Sequence, residues 1–223
     1  MFTLLFWMMP AFAVVDWAAS WRGWKHVRWF TKPAVLLLLI AWFTQLGGWR
    51  EGLFWFGLGL VFSLLGDVLL MLPARFFLPG VGAFSLAHIA YIVGFWQLPL
   101  EPRWQILLPL LLVGLIFWLL NQRIQNALQR NHETSMHAPV MAYAAVLSLM
   151  WFSALSTLLR PAWSLPMALL VSLGAGLFFL SDSLLADNRF VRPLPAADLL
   201  VMVTYNRGQI LIVMGVLGQN LQI

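Results

Sequence analysis

Eight times along this chain the residues run apolar for close to twenty positions, without the alternation a half-buried strand needs. The runs fall at roughly 2–19, 32–47, 53–72, 80–98, 104–121, 137–159, 163–186 and 197–218. A helix rises about 1.5 Å per residue, so runs of this length cross the roughly 30 Å hydrocarbon core of a bilayer. Inside lipid every backbone polar group must be bonded within the structure. That leaves helices or closed barrels, and barrels require alternation. The expected fold is therefore an all-α integral membrane protein, a compact bundle of about eight transmembrane helices forming a single domain over 1–223. Only 9% of the residues are charged, against about 25% in soluble domains.

The connections are short, which leaves no room for a separate soluble domain. The longest, 121–136, is polar and is expected to carry a helix beyond the membrane. The shortest run, 32–47, should cross with little tilt. The first run has no Lys or Arg before it, whereas Arg22, Lys25 and Arg28 follow directly. A signal peptide has the opposite order, so this run reads as a retained helix. The absence of cysteine removes disulfides, thiolate ligands and thiol nucleophiles. The net charge of +5 is no argument for nucleic acid, because the basic residues sit mostly in loops beside spans.

Those charges set orientation. The odd-numbered loops hold nine basic residues: Arg22, Lys25, Arg28, Lys32, Arg75, Arg123, Arg130, Arg189 and Arg192. The even loops hold three, Arg50, Arg103 and Arg160. The positive-inside rule places the odd loops in the cytoplasm and both termini outside. A weak internal repeat accompanies this. Asp67-Val68-Leu69-Leu70 with Arg75-Phe76 is echoed by Asp182-Ser183-Leu184-Leu185 with Arg189-Phe190, and Pro33 opens the second span as Pro139 opens the sixth. Two parallel four-helix repeats, 1–100 and 101–223, are compatible with that echo.

A carboxylate inside a span costs at least a few kcal/mol, which makes it a functional candidate by default. Asp67 and Asp182 each stand four or five residues before the cytoplasmic end of a run, about 6–8 Å deep. His88 and Tyr91 enter the fourth span from the same side, at about 12–17 Å. Tyr205, Asn206, Arg207 and Gln209 enter the eighth likewise, and Lys32 stands at the mouth of the second. Antiparallel helices thus bring polar groups to one leaflet, an agreement that scattered packing residues would lack.

Each residue also has a plainer reading. A protonated Asp can serve helix packing, and His88 can be a hydrogen-bonded interior histidine. Lys32, Arg75 and Arg189 can be orientation charges that snorkel to lipid. Asp187 and Asp198 read as helix-terminal residues. The thirteen Trp read as interface anchors, and Gly57, Gly59, Gly174 and Gly176 as sites of close helix approach. A histidine zinc site lacks ligands, and neither a nucleophile elbow nor a phosphate loop is present. No metal, cofactor or protein partner is implied. Two carboxylates in different surroundings can divide acid and base duties, which suits hydrolysis through an oxocarbenium-like cation.

The motifs Thr31-Lys32-Pro33, Leu65-Gly66-Asp67-Val68-Leu69-Leu70, Phe84-x3-His88-x2-Tyr91, Ser181-Asp182 and Tyr205-x3-Gln209 together resemble those of the YhhN family of membrane proteins. The resemblance runs from the second span to the eighth. It implies a lysoplasmalogenase-like activity, hydrolysis of the vinyl ether bond of lysoplasmenyl lipids to a fatty aldehyde and a glycerophospho-ethanolamine or -choline. On that reading the protein is a bacterial-type inner-membrane hydrolase working from the cytoplasmic leaflet. Asp67 and Asp182 are its acid/base pair, His88, Tyr91, Tyr205 and Gln209 orient them, and Lys32, Arg75 or Arg189 meets the substrate phosphate. Its rivals are a proton-coupled transporter, an intramembrane aspartyl protease and a non-catalytic lipid-binding scaffold. The protease reading is weakened because Leu64 stands where a Gly-x-Gly-Asp motif needs its first glycine.

Overall fold

The computed structural model describes residues 4–50, 52–98 and 104–220. Eight helices follow in order: α1 (Leu4–Arg22), α2 (Lys25–Gln45), α3 (Phe54–Met71), α4 (Phe77–Phe95), α5 (Leu107–Arg130), α6 (His137–Ser156), α7 (Leu165–Ala186) and α8 (Ala197–Asn220). The eight spans are long and apolar enough to cross a membrane, and the described residues contain no strand. The chain is a multi-pass, all-helical membrane protein. Arg103, counted above among the even loops, lies outside the described residues.

The apolar runs locate each helix, and the differences lie at the ends. The second helix begins at Lys25 rather than at residue 32, which turns the shortest run into a helix of 21 residues. Long basic side chains can lie along a span while their charged heads reach water, so Lys25 and Arg28 do not end the helix. Pro33 consequently sits inside α2 instead of opening it, removing one helical donor. α4 starts at Phe77, with Pro79 in its first turn, where a missing N–H is least costly. The polar stretch after residue 121 continues as helix to Arg130. There Arg123 lies 2.7 Å from Asp187 and ties the extension of α5 to the π turn, Asp187–Val191, that closes α7.

The closest hairpins are α3 with α4 and α7 with α8; α8 also meets α1 and α2, and α4 meets α6. Between α7 and α8 the backbones touch. A Cβ on Gly174 would fall 2.8 Å from the Gly208 carbonyl oxygen, and one on Gly208 would fall 2.8 Å from that of Gly174. Small residues let helices approach where lipid gives no hydrophobic push. In the middle of the bundle Phe178 meets Phe84 and Tyr205 edge-on, and His88 packs against Phe178 at 4.7 Å between ring centres. On the outside α5 presents Leu108, Leu111, Leu115 and Leu119, all exposed, as suits contact with acyl chains.

Candidate active site

Two helices that end at the same face each place a carboxylate one turn inside it. Asp67 is four residues from the end of α3, and Asp182 four from the end of α7, about 6 Å in each case. Both line a single cavity of about 410 Å³, whose walls also include Lys25, Arg28, Lys32, Asp198 and Tyr205. The cavity opens where α2 and α8 begin and α3 and α7 end, the face that carries the odd-numbered loops.

The two carboxylates are held differently. Asp67 is 2% exposed and both of its oxygens are engaged. Lys32 Nζ lies 3.0 Å from Oδ1, and Tyr205 Oη donates to Oδ2 at 2.8 Å. A buried charge is tolerable only when it is paired and its remaining lone pairs are bonded, and this one is. Among the described residues no Lys or Arg stands on Asp182. It accepts from the hydroxyl of Tyr143 and lies 3.6 Å from His88 Nε2. His88 Nε2 is in turn 3.1 Å from Tyr143 Oη, while its buried Nδ1 has no partner among the described residues.

Beneath Asp67 a polar column continues toward the bundle centre. Residues four apart share a helix face, so α3 presents Ser63 below Asp67 and α8 presents Gln209 below Tyr205. Gln209 Nε2 donates to Ser63 Oγ at 2.9 Å and its Oε1 accepts from Tyr91 Oη at 2.6 Å. Because α4 starts at Phe77, His88 and Tyr91 lie about 16–21 Å from its beginning, deeper than the run boundary at 80 suggests.

Lys32, Asp67, Asp182 and Tyr205 therefore share the cavity, His88 reaches Asp182, and Tyr91 and Gln209 form the floor network. The three cations expected at a phosphate fare otherwise. Lys32 lies inside α2 and is only 12% exposed, its charge engaged by Asp67. Arg75 is exposed, with its guanidinium 4.9 Å from the Phe76 ring, and Arg189 lies 3.7 Å over the Phe77 ring. Neither lines the polar cavity, because each sits on the turn beyond its helix and folds onto an aromatic neighbour. Asp198, read as a terminal residue, does lie in the first turn of α8, and it also receives Arg28 at the cavity mouth.

Four side chains are missed by the sequence reading. Tyr143 bridges His88 and Asp182 from α6, and its signal is weak, since a tyrosine in a span also suits an interface. Lys25 and Arg28 look like loop charges until α2 is seen to begin at Lys25. Asp16 had the clearest signal, an acid within the first apolar run. It is wholly buried on α1 and accepts from Thr31 at 2.7 Å.

The profile of the YhhN family matches residues 27–216. The chain is 37% identical over 158 residues to lysoplasmalogenase TMEM86B of Homo sapiens, covering 71% of this chain and 61% of the relative. It is 34% identical over 187 residues to lysoplasmalogenase TMEM86B of Mus musculus, covering 83% and 73% respectively. With the uncharacterized membrane protein YhhN of Escherichia coli O157:H7 it shares 29% identity over 92% of this chain and 93% of that one. The chain thus spans about three fifths of the length of the human relative. No solved structure matches it. A profile that covers most of the chain, and takes in both aspartates and their partners on α2, α4 and α8, shows that the chain belongs to the YhhN family.

Proposed function

We propose that this protein is a membrane hydrolase that cleaves the vinyl ether bond of lysoplasmenyl lipids, releasing a fatty aldehyde and glycerophosphoethanolamine or -choline. The observation that carries the reading is the convergence of Asp67 and Asp182 on one polar cavity at the end of an apolar bundle. Relatives named lysoplasmalogenase support it.

A vinyl ether hydrolyses by protonation of the carbon remote from oxygen, which gives an oxocarbenium ion. Water then adds to the carbon bearing the oxygen, and the hemiacetal collapses. The site must supply one proton donor and one acceptor, held apart. Asp182 is the donor, with Tyr143 fixing one oxygen and His88 behind it. Asp67 is the acceptor, because the Lys32 ammonium stands on one of its oxygens. Asp67 takes a proton from the attacking water and delivers it to the departing glycerol oxygen. The hemiacetal hydroxyl proton restores Asp182, so the cycle consumes one water and leaves both residues as they began.

Headgroup recognition falls to the cavity mouth. Lys25 has no ion-pair partner among the described residues, and Arg28 pairs with a 61% exposed Asp198. A phosphate fits the two cations and an ammonium fits Asp198, from the leaflet on the side of the odd loops. Purified protein in detergent should release aldehyde from lysoplasmenylethanolamine. Asp67→Asn and Asp182→Asn should stay folded and lose on the order of 10²–10⁴ in rate. Absence of aldehyde with the wild type, or a folded Asn variant with most of the wild-type rate, overturns the reading.

A further inference from the structure

Asp182 faces two cavities, not one. Besides the polar cavity it lines a narrow apolar one of about 50 Å³ between α4, α6 and α7. Leu70, Phe84, Asp182 and Leu185 line both, so these side chains are a shared partition. On the far side of it the walls are Phe77 and Val81 from α4, Val140 and Tyr143 from α6, Ala186 from the end of α7 and Phe190 from the π turn after it. Phe77, Val81 and Ala186 are half-buried, so the slot lies at the flank of the bundle, where lipid is. Arg189, folded over Phe77, stands at its polar end and keeps the guanidinium out of the polar cavity.

A lysoplasmenyl lipid has the same division. One side of its vinyl ether is glycerol, phosphate and amine, and the other is a single hydrocarbon chain. We infer that the slot between α4, α6 and α7 is the binding site for the alkenyl chain, entered sideways from the bilayer, with the vinyl ether lying over the partition at Asp182. The inference rests on the hydrolase reading and adds to it. It explains why the proton donor is the carboxyl beside apolar carbon while the acceptor lies among cations, since the carbon to be protonated is the alkene carbon remote from the ether oxygen, toward the hydrocarbon chain. Continuity through Asp182 distinguishes the slot from an ordinary groove occupied by bulk lipid.

The test has a binding arm and a kinetic arm. A saturated alkyl-ether lysophosphatidylethanolamine carrying a diazirine in its chain cannot be hydrolysed, so photolabelling reports occupancy whether or not the protein is a hydrolase. Label should fall on α4, α6 and α7 at the slot residues, and excess unlabelled alkyl-ether lysolipid should compete it away. Label elsewhere, or label that is not competed, shows bulk lipid only and overturns the inference. In the kinetic arm Val81→Phe and Ala186→Phe narrow the slot from opposite walls. Each should raise KM for a long-chain lysoplasmenyl substrate by about tenfold or more, and leave a short, water-soluble alkenyl analogue within about twofold. Equal effects on both substrates, or none on either, contradict the assignment. If the wild type takes the label at the slot yet cleaves neither substrate, the slot stands and the hydrolase reading falls.

Discussion

Lys32 and Lys25 lie two helical turns apart on α2, yet they do different work. Lys32 pairs with the buried Asp67, and removing the partner of a buried charge leaves it uncompensated, which costs about 3–5 kcal/mol. Lys25 touches no acid among the described residues and stands in the mouth. We therefore expect Lys32→Met to lower both stability and kcat. Lys25→Gln should raise KM for the phosphorylated substrate with kcat nearly unchanged, which steady-state kinetics and thermal unfolding in detergent separate. A Lys25→Gln variant with an unchanged KM would remove the phosphate role. The sequence places Lys32 at the same leaflet as the two aspartates but does not show which partner it takes. An isolated Asp in an apolar run is legible because so few polar neighbours compete for attention. Which of several cations an Asp recruits depends on helix rotation and start point, and a proline at residue 33 wrongly suggests a helix beginning there. Tyr143 is illegible for a similar reason, since its meaning comes from His88 and Asp182 on two other helices.

At the scale of elements, helix count and order are legible because about twenty consecutive apolar residues admit few alternatives. The ends are less so. Snorkelling basic residues lengthen α2, and the extension of α5 is fixed by Arg123 meeting Asp187 on a different helix. Packing between helices is partly legible, since glycines mark close approach without naming the partner. Gly174 faces Gly208 directly, carbonyl oxygen to Cα position, and neither backbone can yield without displacing its helix. α7 carries Asp182 and α8 carries Tyr205, so their spacing sets the distance across the cavity. Gly174→Ala or Gly208→Ala should destabilise the bundle by about 1–3 kcal/mol through overpacking and lower activity with it. By contrast Gly82→Ala and Gly114→Ala, where nothing lies within 4 Å of a new Cβ, should be silent. If the buried pair tolerates alanine as well as the exposed pair, α7 and α8 are not held at contact.

For the whole molecule, the cavity, its cations and the shared partition all lie at one face, so orientation decides which leaflet supplies substrate. Of the three basic residues assigned to even loops, Arg160 is 2% exposed and bonded to the carbonyls of Phe95 and Leu98. It acts as a clasp between α4 and α6 rather than as a free loop charge. The asymmetry favouring the odd loops is thereby sharper than the sequence count suggests, and both termini should lie outside the cytoplasm. A C-terminal reporter that works only after export should be active, and one that works only in the cytoplasm should be silent; the reverse pattern would move the site to the other leaflet. The central claim is that Asp182 protonates carbon while Asp67 activates water. Its most direct test is turnover of lysoplasmenylethanolamine in heavy water, with the aldehyde reduced as it forms so that later exchange is trapped out. The trapped alcohol should carry a single solvent deuterium on the carbon next to the former carbonyl, and it should all but disappear in Asp182→Asn. Aldehyde formed at the wild-type rate with no deuterium at that carbon would contradict it.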